Sequence, residues 1–170
     1  DRAQIVGPPA EQAKTNFENY ANDDSAPLLN RSTQQIQPPG STFKVITTAA
    51  ALEEGDTPET SVTAAPQITL PDTATTLENY GGAACGGGGT TTLREAFKRS
   101  CNTAFVDIST RHGADKFKKI SENFGIGEKD DYLGLPVEPS RLGDIPDGAA
   151  LGQSSIGQRD VALTPLQNAV

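Results

Sequence analysis

The sequence lacks any apolar run long enough to cross a lipid bilayer. Its longest charge-free apolar block covers residues 45–52, whereas a membrane-spanning helix needs about 20 such residues. No signal peptide is recognisable at the start of the chain, which begins at Asp1 and contains no methionine. We therefore expect a processed, trimmed or partial segment of a longer protein, so missing targeting signals say nothing about the parent.

Basic residues are scarce. Lys and Arg number 14 against 22 Asp and Glu, which gives a formal net charge of −8. Nucleic acid attracts clustered basic surfaces, so this balance argues against a nucleic-acid partner and against electrostatic binding to an anionic membrane. The acidic residues are scattered or, as at Asp23-Asp24 and Asp130-Asp131, are typical of solvated loops.

Histidine and cysteine are nearly absent. His112, the single histidine, is expected at a helix C-terminus, and nothing in the sequence places it near a serine for a Ser-His-Asp triad. The two cysteines, Cys85 and Cys101, match no Cys/His spacing typical of a metal site. The residues alone leave two alternatives for this pair, which are two buried free thiols or a disulfide.

The apolar pattern predicts several helices and few strands. Segment 41–54 has apolar side chains in nearly every direction, which is typical of a buried central helix. Thr92-x-x-Glu95 matches a capping box that begins a helix to about residue 99, and Thr164-Pro165 fits the start of another helix. The other predictions are helices at 11–20, 103–111 and 114–124, extended segments and loops over 56–92 with a strand at 67–70, a mobile glycine loop at 86–89, and a loop at 130–148.

The most informative motif is Ser41-x-x-Lys44, at the start of segment 41–54. A serine and a lysine three residues apart share one face of an α-helix, which brings the amine within hydrogen-bond reach of the hydroxyl, as a nucleophile and its base require. Lys44 is the only charged residue between Arg31 and Glu53, and burial would lower its pKa. The alternative is a plain N-cap serine beside a lysine that extends to solvent.

A second motif, Ser100-Cys101-Asn102, lies between two predicted helices. In an extended or turn geometry, residues i and i+2 point the same way and residue i+1 points oppositely. Ser100 and Asn102 are then predicted to face a cleft, and Cys101 to point inward toward Cys85. A hydroxyl can relay a proton and an amide can hold a carbonyl or the lysine, whereas ordinary helix capping is the alternative.

Together these motifs resemble the transpeptidase domain of class B penicillin-binding proteins, and the resemblance covers nearly the whole chain. The residues around Asn79-Tyr80-Gly81-Gly82 look most similar to actinobacterial members of that family. The implied fold is α/β, of the serine β-lactamase and penicillin-binding transpeptidase type, with residues 1–170 forming one partial domain. The other stretches that carry the resemblance are Pro39-Gly40-Ser41-Thr42-Phe43-Lys44-Val45, Ser100-Cys101-Asn102-Thr103-Ala104-Phe105, Gly152-Gln153-Ser154-Ser155-Ile156-Gly157-Gln158 and Leu163-Thr164-Pro165-Leu166-Gln167.

The resemblance implies a role for each motif residue. Ser41 is the acylated nucleophile and Lys44 the general base; Ser100 relays a proton to the leaving nitrogen. Asn102 positions Lys44 and the substrate amide, so Ser100 and Asn102 are also the substrate-binding residues. The implied reaction is D,D-transpeptidation, in which Ser41 attacks the D-Ala-D-Ala carbonyl of a peptidoglycan stem peptide and an amine from a neighbouring stem resolves the acyl-enzyme. β-Lactams would trap Ser41, and neither a cofactor nor a metal is implied.

The resemblance also implies a cellular setting. The parent would lie on the extracytoplasmic face of the cell membrane, anchored by an N-terminal transmembrane helix not present in this segment. It would work with cell-wall synthesis or division partners in cell division or cell shape. An exported context favours the disulfide between Cys85 and Cys101 over two free thiols.

One motif of the family is missing from this chain. No Lys-Thr/Ser-Gly occurs, and Lys14-Thr15-Asn16 lacks the glycine and precedes Ser41. We therefore expect mainly the helical portion of the domain, with most of the central antiparallel sheet missing, and little activity from the isolated segment. The alternatives are a serine β-lactamase or penicillin-binding receptor, although the Glu-x-x-Leu-Asn stretch of class A lactamases is absent, and a non-catalytic extracellular scaffold of the same fold.

Overall fold

The computed structural model describes residues 5–7, 9–128 and 134–170. Two short 3₁₀ turns, Gly40–Phe43 and Tyr80–Gly82, lie among the regular elements. The strands are β1 (Ser61–Thr63), β2 (Gln67–Thr69), β3 (Thr76–Glu78) and β4 (Thr90–Thr92). The helices are α1 (Ala10–Ala21), α2 (Arg31–Gln34), α3 (Lys44–Glu53), α4 (Leu93–Arg99), α5 (Asn102–His112), α6 (Ala114–Asn123), α7 (Gly148–Ser154) and α8 (Pro165–Ala169).

The strands form two small antiparallel sheets, β1 with β4 and β2 with β3. In the β2–β3 hairpin, Gln67 lies opposite Glu78 and Thr69 opposite Thr76. The predicted strand at 67–70 is therefore confirmed, within the extended region 56–92 that holds all four of these strands. Because Glu78 ends β3 beside α5, this hairpin reaches the site described below.

Helix α5 is the centre of the fold. It contacts α3, α4, α6, α7 and the strands β1, β2 and β3. Ala104, Phe105, Val106 and Ile108 on this helix are all completely buried. Phe105 and Ile108 belong to one apolar cluster with Val62 and Leu93, and burial of side chains of this size stabilises the fold by roughly 1.5–3 kcal/mol each.

Segment 41–54 differs from its prediction at its start and on one face. It begins as the 3₁₀ turn Gly40–Phe43 and becomes α-helical only at Lys44, a tightening that is common at helix N-termini. The prediction that this helix is buried on all sides is wrong, since Val45 and Leu52 are about half exposed. Val45 instead borders an apolar groove of about 660 Å³, which Leu163 also lines.

Helix α7 was not predicted, because residues Gly148–Ser154 include two glycines, which have low helix propensity. Close packing overrides that propensity. A Cβ at Gly152 would lie 3.0 Å from Val106 and 3.1 Å from Leu70, so glycine lets α7 approach α5. The predicted loop at 130–148 is irregular over 134–147, and Asp130 and Asp131 lie outside the described residues.

The other helix predictions are confirmed with small shifts at their ends. Thr92 caps α4 by accepting the Glu95 backbone N–H, and Thr164 with Gln167 forms a complete capping box at α8, where Pro165 is the first helical residue. Within the described ranges, no helix combines the length and the apolarity needed to cross a membrane.

Candidate active site

The 3₁₀ turn places Ser41 directly against Lys44. Residues i and i+3 eclipse in a 3₁₀ helix, which has three residues per turn, and Lys44 Nζ lies 3.1 Å from Ser41 Oγ. The sequence motif predicted this proximity from α-helical spacing; the tighter turn that carries Ser41 produces it. The N-cap positions are occupied by Pro39 for the turn and by Phe43 for α3, and Ser41 lies inside the turn, so the plain N-cap alternative is wrong.

Lys44 is buried, with 2% of its surface exposed, so the alternative of a lysine extended to solvent is also wrong. Besides Ser41, its Nζ lies 2.7 Å from Ser100 O, 3.0 Å from Ser100 Oγ and 2.7 Å from Asn102 Oδ1. The Phe105 ring lies below the amine, 5.5 Å away at its centroid. The structure thus brings Ser41, Lys44, Ser100 and Asn102 into one cluster.

Burial lowers the pKa of Lys44 from its usual 10.5 to about 8. Its four polar neighbours are neutral oxygen atoms, which compensate only part of the cost of removing a charge from water. With a pKa of about 8, about a tenth of the molecules carry an uncharged Lys44 amine at pH 7. An uncharged amine has a lone pair and can accept a proton.

The neighbours of Lys44 also determine the direction of that lone pair. An uncharged amine has two N–H groups, whereas Ser100 O and Asn102 Oδ1, both at 2.7 Å, can only accept hydrogen bonds. When these two acceptors take the two N–H groups, the lone pair is left for a hydroxyl, and Ser41 and Ser100 supply the two hydroxyls within 3.1 Å. The arrangement can therefore withdraw a proton from Ser41.

Ser100 contacts the lysine through an unusual backbone conformation. It ends α4 in the left-handed region, with φ 59° and ψ 44°, which costs a non-glycine residue about 1–2 kcal/mol. In this conformation both its carbonyl oxygen and its hydroxyl face Lys44. The turn also separates α4 from α5, so that Asn102 follows as the first residue of the next helix.

Cys101 contacts Cys85, whereas its neighbours Ser100 and Asn102 contact Lys44. It is buried, and it forms a disulfide with Cys85 across a Cα–Cα distance of 6.1 Å. Cys101 is also the N-cap residue of α5, but no side-chain cap bond is made there. Capping by the side chains of Ser100 and Asn102, the alternative from the sequence, is wrong, since both side chains reach Lys44 instead.

We predict that this disulfide forms in the protein and stabilises it. A link over a sequence separation of 16 residues is worth about 3 kcal/mol in the loop-entropy picture. Replacing both Cys85 and Cys101 by alanine should lower the free energy of unfolding by about that amount in a denaturant titration. Mass spectrometry after alkylation without reductant should find no free thiol, and two alkylated cysteines in the native protein would contradict the prediction.

A glycine that sequence reasoning did not assign holds the turn Gly40–Phe43, which carries Ser41. Gly157 O accepts the Gly40 N–H at 3.0 Å, and a Cβ at Gly157 would lie 2.1 Å from Gly40 O and 2.8 Å from Phe43 Cβ. Only a residue without a side chain permits this approach. The sequence offered one signal, because Gly157 belongs to a stretch that carries the family resemblance.

His112 lies apart from this cluster. Its ring is 2.5 Å from the Asp56 carboxylate and links the end of α5 to the segment after α3. The described residues contain no group of three or more His, Cys, Asp or Glu side chains able to hold a metal ion. The chemistry available at the cluster is therefore that of a serine, a lysine and two polar neighbours.

In this fold a buried amine lies against a serine hydroxyl, which is the arrangement typical of a serine acyl-transfer site. The sequence model of the penicillin binding protein transpeptidase domain matches residues 5–170. The chain therefore belongs to the penicillin-binding protein transpeptidase family, as predicted.

Its relatives place it near the mycobacterial members. It is 56% identical to peptidoglycan D,D-transpeptidase PbpA of Mycolicibacterium smegmatis over an alignment of 153 residues. This alignment covers 90% of this chain and 31% of the relative. It is 52% identical to PbpA of Mycobacterium tuberculosis, over 95% of this chain and 33% of that protein. The chain thus spans about a third of the length of the curated relatives it matches.

A solved structure confirms the predicted fold class. The penicillin G acyl-enzyme complex of penicillin-binding protein A from M. tuberculosis matches 99% of this chain and 39% of that chain, with 48% identity and a TM-score of 0.93. The described residues are rich in helix and contain only short strands, as expected for the helical portion of such a domain.

Proposed function

We propose that the parent protein is a peptidoglycan D,D-transpeptidase that acts through an acyl-enzyme on Ser41. The observation that carries the proposal is the buried Lys44 amine, 3.1 Å from Ser41 Oγ, with a pKa lowered to about 8. A base with a pKa near the working pH combines a useful uncharged fraction with a strong affinity for the proton. The names of the mycobacterial relatives and the acyl-enzyme complexes of one of them support the same activity.

In the acylation step, Lys44 Nζ takes the hydroxyl proton of Ser41, and Ser41 Oγ forms a bond to the carbonyl carbon of the penultimate D-Ala. The C–N bond to the terminal D-Ala then breaks. Its nitrogen receives a proton through the Ser100 hydroxyl, which lies 3.0 Å from Lys44 Nζ, so that the amine leaves neutral. Asn102 binds the substrate amide with the N–H of its side chain that is not otherwise engaged.

In the second step, the amine of a neighbouring stem peptide attacks the ester carbonyl. Its proton passes to Lys44, the bond between the carbonyl carbon and Ser41 Oγ breaks, and Lys44 returns that proton to Ser41 Oγ, 3.1 Å away. A β-lactam follows only the first half, since the broken amide bond lies in its ring and the leaving nitrogen stays attached. Stem peptides and β-lactams are thus the proposed ligands.

The proposed setting is the extracytoplasmic face of the cell membrane. We propose that a transmembrane helix outside this segment anchors the protein, and that it works with cell-wall synthesis or division partners. Membership of the family supports both proposals. A disulfide between Cys85 and Cys101 fits such an oxidising location.

Covalent labelling with a fluorescent penicillin tests the proposal. The full-length protein should label at Ser41, and Ser41→Ala should abolish labelling without changing the melting temperature by more than a few degrees. The 170-residue segment should label far more slowly, because it contains no Lys-Thr/Ser-Gly sequence. Release of the label within seconds would favour a β-lactamase, and unchanged labelling of the folded Ser41→Ala variant would contradict the assignment of the nucleophile.

A further inference from the structure

The side-chain amide of Asn102 is held at both ends. Its Oδ1 accepts from Lys44 Nζ at 2.7 Å, and its Nδ2 donates to the backbone carbonyl of Glu78 at 2.9 Å. Since a carbonyl oxygen can only accept, Glu78 O fixes which end of the amide faces the lysine. Asn102 Oδ1 helps to direct the Lys44 lone pair toward a hydroxyl. The orientation of this oxygen therefore depends on the position of the Glu78 carbonyl.

The next residue, Asn79, connects that position to the helix that carries Asn102. Asn79 is 8% exposed, and its Nδ2 donates to Ala65 O and Ala83 O, both at 3.0 Å. Its Oδ1 accepts the Thr103 N–H at 3.1 Å, and the Thr103 hydroxyl lies 3.2 Å away. One buried amide, directly after β3, thus joins the segment before β2 and the segment leading to Cys85 to the start of α5.

Asn79 also performs the task that an N-cap residue normally performs for its own helix. The N-cap position of α5, Cys101, makes no side-chain cap bond because its sulfur is linked to Cys85. The first N–H groups of a helix have no partner within it, and an oxygen that accepts one of them stabilises the helix start. Asn79 Oδ1 supplies that oxygen from another part of the chain.

We propose that Asn79 is a positioning residue for acylation, which holds Asn102 Oδ1 on Lys44 by fixing both the start of α5 and the Glu78 carbonyl. This inference rests on the proposed function. The side-chain hydrogen bonds of Asn79 go to Ala65, Ala83 and Thr103. Its effect on Lys44 therefore passes through Asn102. A displacement of about 1 Å at a catalytic group can cost about a hundredfold in rate, and we expect Asn79→Ala to lower the acylation rate constant by about 10–100-fold.

The test is a double-mutant cycle in the full-length protein, with penicillin acylation of Ser41 as the readout. Asn79→Ala, Asn102→Ala and the double variant are compared with the unchanged protein. If Asn79 acts through Asn102, Asn79→Ala should slow acylation about 10–100-fold alone but by less than about threefold in the Asn102→Ala background. A residue that merely stabilises the fold gives the same factor in both backgrounds.

Two further variants keep the test decisive. Asp147→Ala removes the side chain that caps α7 through the Ala150 N–H. Asp147 is not among the residues that contact Lys44 Nζ, so this variant serves as a matched control for the loss of a helix cap. Asn79→Ser leaves a small polar side chain and adds no charge to this buried position, so it replaces Asn79→Ala in the cycle should the alanine variant fail to fold. Its shorter side chain cannot bond Ala65 O, Ala83 O and Thr103 together as Asn79 does, and it should show the same dependence on Asn102.

The outcomes separate this inference from the function on which it rests. Acylation of Asn79→Ala within about twofold of the unchanged protein, or an equal loss in both backgrounds, overturns the positioning role while Ser41 and Lys44 keep theirs. Acylation that persists in Ser41→Ala overturns the proposed function itself, whatever Asn79→Ala does.

Discussion

Replacing Lys44 by methionine should lower the rate of Ser41 acylation by about 10²–10⁴-fold, the usual contribution of a general base. Methionine keeps the length and the apolar stem of lysine but has no basic nitrogen. Lys44 is 2% exposed and its amine contacts four oxygen atoms, so water has little room to replace the amine. Acylation kinetics with a fluorescent penicillin, on the full-length protein, measure this loss.

The pH dependence of acylation should report the same amine. Burial lowers the pKa of Lys44 to about 8, and only the uncharged form accepts a proton. The rate should therefore rise with pH, about fivefold between pH 7 and pH 8, and level off above the pKa. Below pH 7 it should fall about tenfold for each unit, because the uncharged fraction falls by that factor.

An exposed lysine is the matched control. Lys98 forms a surface ion pair with Glu95, and such pairs contribute about 0–1 kcal/mol. Lys98→Met should keep both the acylation rate and the pH profile. A rate that stays flat from pH 6 to pH 9 in the unchanged protein, or a Lys44→Met variant that acylates normally, would exclude Lys44 as the base.

The sequence predicted the grouping of these four side chains well because its signals are local. Ser41 and Lys44 are three residues apart, and Ser100 and Asn102 two apart, so short-range backbone geometry was enough to place each pair on one side of the chain. The charge of Lys44 within an apolar segment indicated a buried amine. The sequence did not predict the 3₁₀ turn or the left-handed conformation of Ser100. Both make contacts across long stretches of chain, from Gly40 to Gly157 and from Ser100 to Lys44, which local patterns do not record.

The residues that sequence reasoning missed are those whose partners lie far along the chain. Asn79 meets Thr103 across 24 residues, and Gly157 meets Gly40 through packing that no periodic pattern records. Helix α7 has the same origin, since Gly152 is favoured by contact with Val106 and Leu70 and not by helix propensity. Long-range packing of this kind becomes visible only once the chain is folded.

Gly157→Ala should nearly abolish acylation although Gly157 does no chemistry. Its φ of +70° is strained for alanine, and the added Cβ would lie 2.1 Å from Gly40 O. That contact is with backbone, so the turn Gly40–Phe43 must move outward, and Ser41 Oγ with it. Because a shift of about 1 Å costs about a hundredfold in rate, we expect a loss of at least that size, measured by penicillin acylation of the full-length protein.

The same substitution should also destabilise the fold. Left-handed strain costs about 1–2 kcal/mol, and overpacking about 1–3 kcal/mol more, since Phe43 is anchored against Phe117 at a ring-centroid distance of 5.9 Å. Gly55→Ala is the matched control, because Gly55 has a φ of +95° with no atom within 4 Å of an added Cβ. It should lose stability through strain alone and acylate normally. Equal acylation rates for the two folded variants would show that the contact between Gly157 and Gly40 does not hold Ser41 in place.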